Sequence, residues 1–383
     1  MVSIEPGVPL WLDCDTECLS FGIDFNTQDA FAILLAGHHP SLNLLGVSTV
    51  HGNASLEQTT TNTLSILTAI GRTDVPVHPG AAKPFCRAAV HAPNIHGNTG
   101  LDGTTCLPSP GAQPIQRPNA VLAIRHALME QPKKTAWVVA TGALTNVALL
   151  FATFPELVQH IKGLSIMGGA VGGGFTDAPM GKVKGEGERF GNHTRWAEFN
   201  IYCDPEAAES IFSNPELAAK TTLIPLDLTH QVLADKTVQQ KLLNNPFSSQ
   251  QPNQLNIRQL FNEILTFFAH TYHEVFAISE GPPLHDPIAV AVLLNDLIDG
   301  GLFDDRGGER WHVEVVTDGQ HSDSEHLQGQ VGRTNIAPPD ERSDGVRIPR
   351  SMDVPKFWSI IAVCLSRAEE VVLFPPASGG ESP

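Results

Sequence analysis

Positive charge is scarce in this 383-residue chain, which has 24 Lys and Arg residues against 41 Asp and Glu and a formal net charge of -17. Binding to a phosphate backbone needs clustered Lys and Arg that displace counterions, so this composition excludes nucleic acid polymers as the main partner. The same deficit disfavours an anionic membrane surface. An acidic surplus is ordinary for a solvated surface, and the alternative is that some carboxylates hold a divalent cation.

Long apolar runs are also missing. No stretch approaches the roughly 18 residues that a bilayer span requires. Residues 1–9 contain no basic segment followed by an apolar one, as a secretory signal would. We therefore predict a cytoplasmic protein that does not bind membranes. The six cysteines form no C-x-x-C pair, which argues against a zinc site and against a disulfide scaffold.

Short apolar segments alternate with longer helical patterns along the chain, which is typical of a parallel sheet connected by helices. Strands are predicted at Leu10–Asp13, Leu44–Val50, Ala136–Ala140, Leu164–Met167, Thr222–Leu226 and Trp311–Val316. Helices are predicted at Asp29–Gly37, Leu56–Ile70, Asn119–Met129, Asn146–Phe151, Pro205–Phe212, Leu255–Phe276 and Asp286–Leu294. Loops are predicted at 88–118, 168–193 and 317–347.

The predicted fold class is α/β, with a mostly parallel open sheet flanked by helices. A single domain is predicted over residues 1–374, followed by a disordered tail over 375–383. In open α/β folds, ligands bind at the carboxyl ends of the strands. We therefore expect the functional residues at those ends.

Two carboxylates end the first predicted strand, Asp13 and Asp15. Positions i and i+2 of a strand face the same side, so both side chains project together from the sheet edge. Neighbouring carboxylates repel unless a proton or a cation lies between them, and oxygen ligands suit calcium or magnesium better than zinc. The structural alternative is that Asp13 caps a turn and Asp15 is merely exposed. Asp29, at the next helix start, is either an N-cap or a ligand.

Glycine and polar residues follow the next three predicted strands. The segments are His51-Gly52-Asn53, Thr141-Gly142-Ala143-Leu144-Thr145-Asn146 and Met167-Gly168-Gly169. Glycine allows the backbone to approach a small ligand closely. Three such loops in a row indicate one site.

Further polar residues follow downstream. Glu198 and Asn200 offer an acceptor and a mixed donor and acceptor, which suits vicinal hydroxyls, and Asn192 lies just before them. His285 and Asp286 open a predicted helix, where they supply a proton donor and a hard-cation ligand. The alternative for Asp286 is a helix cap.

The order of these motifs resembles the inosine-uridine preferring nucleoside hydrolase family, from about residue 8 to about residue 318. The resemblance implies an α/β enzyme that hydrolyses the N-glycosidic bond of ribonucleosides, a small-molecule substrate. It also implies one tightly bound calcium ion (Ca2+) and a homodimer or homotetramer.

The resemblance assigns roles to individual residues. Asp15 matches the carboxylate that both ligates calcium and acts as the general base. Asp29, Asp286 and the backbone carbonyl of Thr145 match further calcium ligands, and His285 matches the histidine proposed to protonate the departing base. The positions expected at the substrate are Asp13, Asn53, Met167, Asn192, Glu198 and Asn200.

One segment departs from the family pattern, whose first loop is usually Asp-x-Asp-x-Gly-x-Asp-Asp. Here 13 residues, 16–28, separate Asp15 from Asp29. Gln28 stands where a ribose-binding Asp is usual, and Asp24 is a candidate for the displaced carboxylate. The departure favours one alternative, a non-catalytic nucleoside- or ribose-binding homologue.

A second alternative comes from Leu12-Asp13-Cys14-Asp15-Thr16, which also resembles the D-x-D-x-T motif of haloacid-dehalogenase phosphatases. In that reading Asp13 is the nucleophile, Asp15 is the acid/base, and the metal is magnesium.

Overall fold

A nine-stranded sheet forms the centre of the described structure, in the order β3-β2-β1-β4-β5-β6-β10-β8-β9. The structure is a computed structural model and describes residues 7–17, 28–90, 107–180, 189–244, 256–276, 278–321, 329–339 and 344–374. The strands are β1 Val8–Cys14, β2 Leu42–Thr49, β3 Val77–Pro79, β4 Trp137–Ala140, β5 Gly163–Met167, β6 Thr221–Ile224, β7 Phe303–Asp304, β8 Arg310–Val315, β9 Thr334–Ala337, β10 Val346–Arg347 and β11 Ser351–Met352. The run from β3 to β10 is parallel, and β8 and β9 add to it antiparallel.

The mostly parallel sheet predicted from the sequence is confirmed. All six predicted strands are present, with ends that differ by at most two residues. The predicted loop 317–347 is partly wrong, because β9 and β10 lie within it. These strands are short and polar, and pairing with β8 and β6 defines them better than local sequence does. The predicted tail, 375–383, lies outside the described residues.

Helices cover both faces of the sheet. They are α1 Asp29–His38, α2 Leu56–Ala69, α3 Ala120–Met129, α4 Thr145–Thr153, α5 Leu157–His160, α6 Phe199–Cys203, α7 Pro205–Phe212, α8 Pro215–Ala218, α9 Leu226–Thr229, α10 Lys236–Leu243, α11 Ile257–Phe276, α12 Asp286–Ala291 and α13 Val354–Leu373. A 3-10 helix, Val292–Leu297, continues α12. None of the described helices is long and apolar enough to cross a bilayer.

Alternate residues of β1 contribute to two different cores. Leu10 and Leu12 pack in the cluster that contains α1, whereas Trp11 packs in the cluster that contains α3 and α4. This alternation follows from the two-residue period of a strand that is covered on both faces. The sequence of α1 is apolar around its whole circumference, and the residues of Ala30–Ala36 are all buried because α12 and α13 pack against the helix. The sheet and α1 together place Asp29 at the carboxyl edge of β1.

Candidate active site

Asp15 follows β1 directly and is fully buried. Its Oδ2 accepts a hydrogen bond from the backbone N–H of Asn53 at 3.0 Å, and its Oδ1 has no hydrogen-bond partner among the described residues. The surrounding backbone approaches closely: a Cβ added at Gly52 would lie 2.0 Å from Oδ2, and one at Gly142 would lie 2.8 Å from Oδ1. Glycine is therefore required in the loops after β2 and β4 for Asp15 to keep its place.

The inserted segment is anchored at both ends, although residues 18–27, including the candidate Asp24, lie outside the described residues. At its start, the carbonyl of Thr16 accepts a hydrogen bond from Asn62 Nδ2 at 3.2 Å. At its end, Gln28 Nε2 donates to the carbonyl of Pro283 at 3.0 Å. Asp15 and Asp29 are nonetheless close enough for the negative charge of Asp29 to raise the pKa of Asp15.

Three buried carboxylates meet at this edge of the sheet: Asp15, Asp29 and Asp286. Asp29 Oδ1 accepts from the Thr141 hydroxyl at 2.6 Å. Its Oδ2 and both oxygens of Asp286 have no hydrogen-bond partner among the described residues. Burial raises the pKa of Asp29 to about 7, against the hydrogen bond from Thr141 that lowers it. Burial, followed by the negative charge of Asp29, raises the pKa of both Asp15 and Asp286 well above the usual range.

This donor set fits a hard divalent cation. Unpartnered carboxylate oxygens are the ligands that calcium prefers, and calcium also takes carbonyl and water oxygens. A cation would balance the charges that raise these pKa values. Among the described residues, no three His, Cys, Asp or Glu side chains already have the spacing of a metal-ligand set. The fit therefore rests on the chemistry and burial of the oxygens.

Thr145 and Thr141 lie at opposite ends of the loop between β4 and α4, and the role of Thr145 as a calcium ligand stays a prediction. Thr145 is the first residue of α4, where its carbonyl is directed along the helix axis into the following turn. Its hydroxyl donates to Asp204 Oδ2 at 2.6 Å. Thr141 directly follows β4, donates to Asp29, and accepts through its carbonyl from Asn200 Nδ2 at 2.9 Å. The signal for Thr141 in the sequence was its position directly after a strand.

Asp13 is held by a short polar network. Its Oδ1 accepts from the Ser48 hydroxyl and from Asn146 Nδ2, the latter at 2.8 Å, and Ser48 in turn accepts from Trp11 Nε1 at 3.0 Å. Burial raises the pKa of Asp13 to about 7, while the bonds from Ser48 and Asn146 lower it. Its Oδ2 has no partner within the described part of the chain, so one buried oxygen is available to a ligand.

Glu198 and Asn200 are fixed by the backbone around them. Glu198 is the N-cap of α6, and its carboxylate accepts from the N–H groups of Asn200 at 2.9 Å, Ile201 at 3.1 Å and Gly169 at 2.9 Å. Asn200 Nδ2 donates to the carbonyl of Met167 at 3.2 Å as well as to Thr141. Asn200 Oδ1 is buried and unpartnered among the described residues. The predicted substrate contacts Met167, Glu198 and Asn200 therefore lie together.

Two further predicted contacts are asparagines. Asn53 is 3% exposed, and its Nδ2 has no hydrogen-bond partner in the described residues, although its backbone holds Asp15. Asn192 Oδ1 accepts from the N–H of Phe199 at 3.0 Å, which brings Asn192 next to Glu198. The loop after β2 thus supplies the unpartnered amide donor of Asn53 beside Asp15. The segment after β5 supplies the hydrogen-bonded amide of Asn192 beside Glu198.

His285 is buried, and both of its ring nitrogens have a partner. Its Nδ1 lies 2.5 Å from the Thr229 hydroxyl and its Nε2 lies 2.5 Å from the Tyr272 hydroxyl. Burial lowers the pKa of His285 well below its ordinary value, and burial raises the pKa of Tyr272 well above its own. The imidazole is therefore neutral. Tyr272 lies in α11 and was not predicted as a site residue, because a tyrosine inside a long helix gives no local signal.

A parallel sheet with buried acids, amides and a histidine at its carboxyl edge is typical of α/β enzymes with a small polar substrate. The family model described as inosine-uridine preferring nucleoside hydrolase matches residues 10–359. The chain belongs to this family. The family and the enzyme class predicted from the sequence are thus confirmed, and the phosphatase alternative has no support.

Individual relatives agree with this assignment. A uridine nucleosidase of Saccharomyces cerevisiae is 39% identical over 288 residues, which cover 75% of this chain and 76% of the relative. A pyrimidine-specific ribonucleoside hydrolase of a Shewanella species is 38% identical over 298 residues, covering 77% and 79%. The solved structure of a purine-preferring ribonucleoside hydrolase from Gardnerella vaginalis matches with a TM-score of 0.71 at 24% identity and covers 95% of this chain and 99% of its own. This last similarity confirms the fold.

Proposed function

We propose that the protein hydrolyses the N-glycosidic bond of ribonucleosides in a calcium-dependent reaction that releases ribose and a free base. The observation that carries the proposal is the buried group Asp15, Asp29 and Asp286, whose unpartnered oxygens lie at the end of β1 and at the starts of α1 and α12. An uncharged ribonucleoside meets no repulsion from the acidic chain.

The ion would be held by the three carboxylates and by a backbone carbonyl, that of Thr145 as predicted or that of Thr141. Bound calcium would lower the pKa of a water molecule and balance the charge of the carboxylates. Asp15 then acts as the general base: the Asn53 N–H fixes Oδ2, and the unpartnered Oδ1 takes a proton from the attacking water.

The sugar would be held by polar atoms that are buried and lack a partner among the described residues. Asn53 Nδ2 is a donor, and Asn200 Oδ1 and Asp13 Oδ2 are acceptors, which matches the mixed character of ribose hydroxyls. Glu198 adds a carboxylate that backbone N–H groups keep in place. Asn192 and Met167 complete the wall. Fixed hydroxyls favour the flattened, positively charged sugar of the transition state.

The departing base would receive its proton through the contact between Tyr272 and His285. The Tyr272 hydroxyl would give its proton to the departing base, and Nε2–H of the neutral His285 imidazole would stabilise the phenolate that remains. The proton that Asp15 takes from the attacking water would return to Tyr272 through solvent. This differs from the simpler prediction that His285 alone is the acid. Thr229 on Nδ1 fixes the ring orientation.

A reducing-sugar assay tests the proposal. Uridine is the first substrate to try, because a relative 39% identical is a uridine nucleosidase, and inosine and adenosine follow. We expect ribose release with calcium and none after chelation. Calorimetry on the same samples distinguishes the non-catalytic alternative: calcium or nucleoside binding without ribose release from any substrate would contradict the proposal.

We also propose that the protein is a cytoplasmic homodimer or homotetramer. The proposed assembly is supported by membership of the family. Light scattering coupled to gel filtration would measure the mass directly, and a monomer at micromolar concentration would contradict the assembly. Fractionation of the source cells would test the location.

A further inference from the structure

The side-chain amide of Gln28 makes hydrogen bonds with both of its ends. Nε2 donates to the carbonyl of Pro283 at 3.0 Å, and Oε1 accepts from the backbone N–H of His285. Gln28 is 1% exposed. The amide orientation is therefore set by one donor and one acceptor of the backbone.

This amide connects two helix starts. Gln28 is the N-cap residue of α1, but its side chain does not cap that helix. It reaches instead to the two residues on either side of Leu284, and His285 is the N-cap residue of α12. The first residues of these two helices are Asp29 and Asp286. Gln28 thus links the backbones that carry two of the three buried carboxylates.

The link through Gln28 opposes the repulsion between buried carboxylates. Two buried carboxylates of like charge repel each other, and the repulsion is strong because little water screens it. The covalent connection from Asp15 to Asp29 runs through 13 residues, and a long connection constrains its ends less than a compact loop does. A non-covalent tie between α1 and α12 compensates for this longer connection.

We infer that Gln28 is a positioning residue for the cation site, because its amide ties together the two backbone segments that carry Asp29 and Asp286. The inference rests on the proposed function, to which the ion belongs. It also gives Gln28 a different task from the ribose-binding acid that the family pattern places at this position, since each end of its amide makes a hydrogen bond to the backbone.

The test compares two glutamines. Gln28→Met keeps the side-chain length and removes both hydrogen bonds. Gln231→Met is the matched control, because Gln231 Nε2 donates to the carbonyls of Asp227 at 2.8 Å and Arg350 at 2.9 Å, neither of which belongs to the carboxylate group. Calcium affinity is measured by calorimetry without substrate, and thermal unfolding is measured without metal.

We expect Gln28→Met to weaken calcium binding by about 10- to 100-fold, the usual effect of losing a group that orients metal ligands. The control should lose comparable thermal stability and keep the wild-type affinity. Excess calcium should restore ribose release in Gln28→Met, which a purely structural defect would not allow. If Gln28→Met does not fold, Gln28→Asn, one methylene too short to span both partners, replaces it.

The outcomes separate the two proposals. Wild-type protein that binds calcium and releases ribose, together with a Gln28→Met variant of unchanged affinity, would overturn the role of Gln28 alone. Equal losses of affinity in both glutamine variants would also overturn it. Wild-type protein that neither binds calcium nor releases ribose would overturn the proposed function and the role of Gln28 with it.

Discussion

Asp15 uses its two carboxylate oxygens differently, and Asn53 causes the difference. The N–H of Asn53 donates to Oδ2 at 3.0 Å, while Oδ1 is buried without a partner among the described residues. One oxygen orients the carboxylate and the other is available to a proton or a cation. A general base needs this combination of fixed geometry and a free lone pair.

Replacing Asp15 by Asn should keep the fold and remove the activity. The amide oxygen of Asp15→Asn can still accept from Asn53, but the side chain can neither take a proton nor offer a charged ligand. We expect ribose release from uridine to fall by at least about 1,000-fold. Circular dichroism and thermal unfolding serve as controls for the fold. Turnover close to that of the wild type would rule out Asp15 as the base.

Gly52→Ala should act on activity through Asp15. The new Cβ would lie 2.0 Å from Asp15 Oδ2, so the carboxylate has to move away from Asn53. Gly37→Ala is a matched control inside α1, where the nearest atoms to the new Cβ are 3.6 Å away. We expect Gly52→Ala to lose most of its ribose release and Gly37→Ala to gain up to about 1 kcal/mol of stability with unchanged activity. Equal activity in the two variants would contradict the close packing around Asp15.

Without calcium, the buried Asp286 carboxylate should lower the stability of the folded protein. Burial, followed by the charges of Asp29 and Asp15, raises the pKa of Asp286 well above the usual range. Each unit of such a shift corresponds to about 1.4 kcal/mol against the charged form. We therefore expect metal-free Asp286→Asn to unfold at the same temperature as metal-free wild type or a higher one.

Calcium should raise the unfolding temperature of the wild type but not that of Asp286→Asn. A ligand that binds only the folded state raises the unfolding temperature of the wild type, and Asp286→Asn should lose this increase. Thermal unfolding in chelator and in millimolar calcium measures both effects. A calcium-dependent increase of equal size in the two proteins would exclude Asp286 as a ligand.

Much of the fold was predictable because apolar segments with regular spacing report burial directly. β1, β4 and β5 are buried over most of their length on both faces and read as apolar runs in the sequence. The strands β9 and β10 depend on partners far away in the chain, so their local sequence carried no signal. Helix α13 was not among the predicted helices, although the N-cap Asp353 and Pro355 in its first turn mark its start.

The candidate site was predictable in its residue types and less so in its contacts. Asp15, Asp29 and Asp286 stand at element boundaries, and the resemblance to the family assigned them to one site. Gln28 and Tyr272 were different, because their roles depend on hydrogen bonds to partners that are not their neighbours in the sequence. Pro283 is 255 positions from Gln28, and His285 is 13 positions from Tyr272. A side chain that acts through such a distant partner leaves no spacing pattern in the sequence.

His38 should make stability depend on pH. It is the last residue of α1, and its Nε2 lies 2.8 Å from the carbonyl of Ile70. Burial lowers the pKa of His38 from 6.5 to about 4, with smaller effects of the same sign from Arg72 and Arg367 and an opposing one from Ile70. Between these values the unfolded chain binds the proton and the folded protein does not. The stability associated with His38 is therefore complete above pH 6.5 and is lost as the pH falls toward 4.

The comparison with His38→Gln isolates this contribution, since glutamine can donate to the Ile70 carbonyl but does not titrate in this range. Urea unfolding of both proteins in chelator, at pH values from 7.5 to about 4.5, gives the difference in unfolding free energy. We expect the difference to shift against the wild type by as much as about 3 kcal/mol over this range, because a pKa unit corresponds to about 1.4 kcal/mol. Carboxylates that titrate in both proteins cancel in the difference. A difference that stays constant with pH would show that the folded protein protonates His38 as readily as the unfolded chain does.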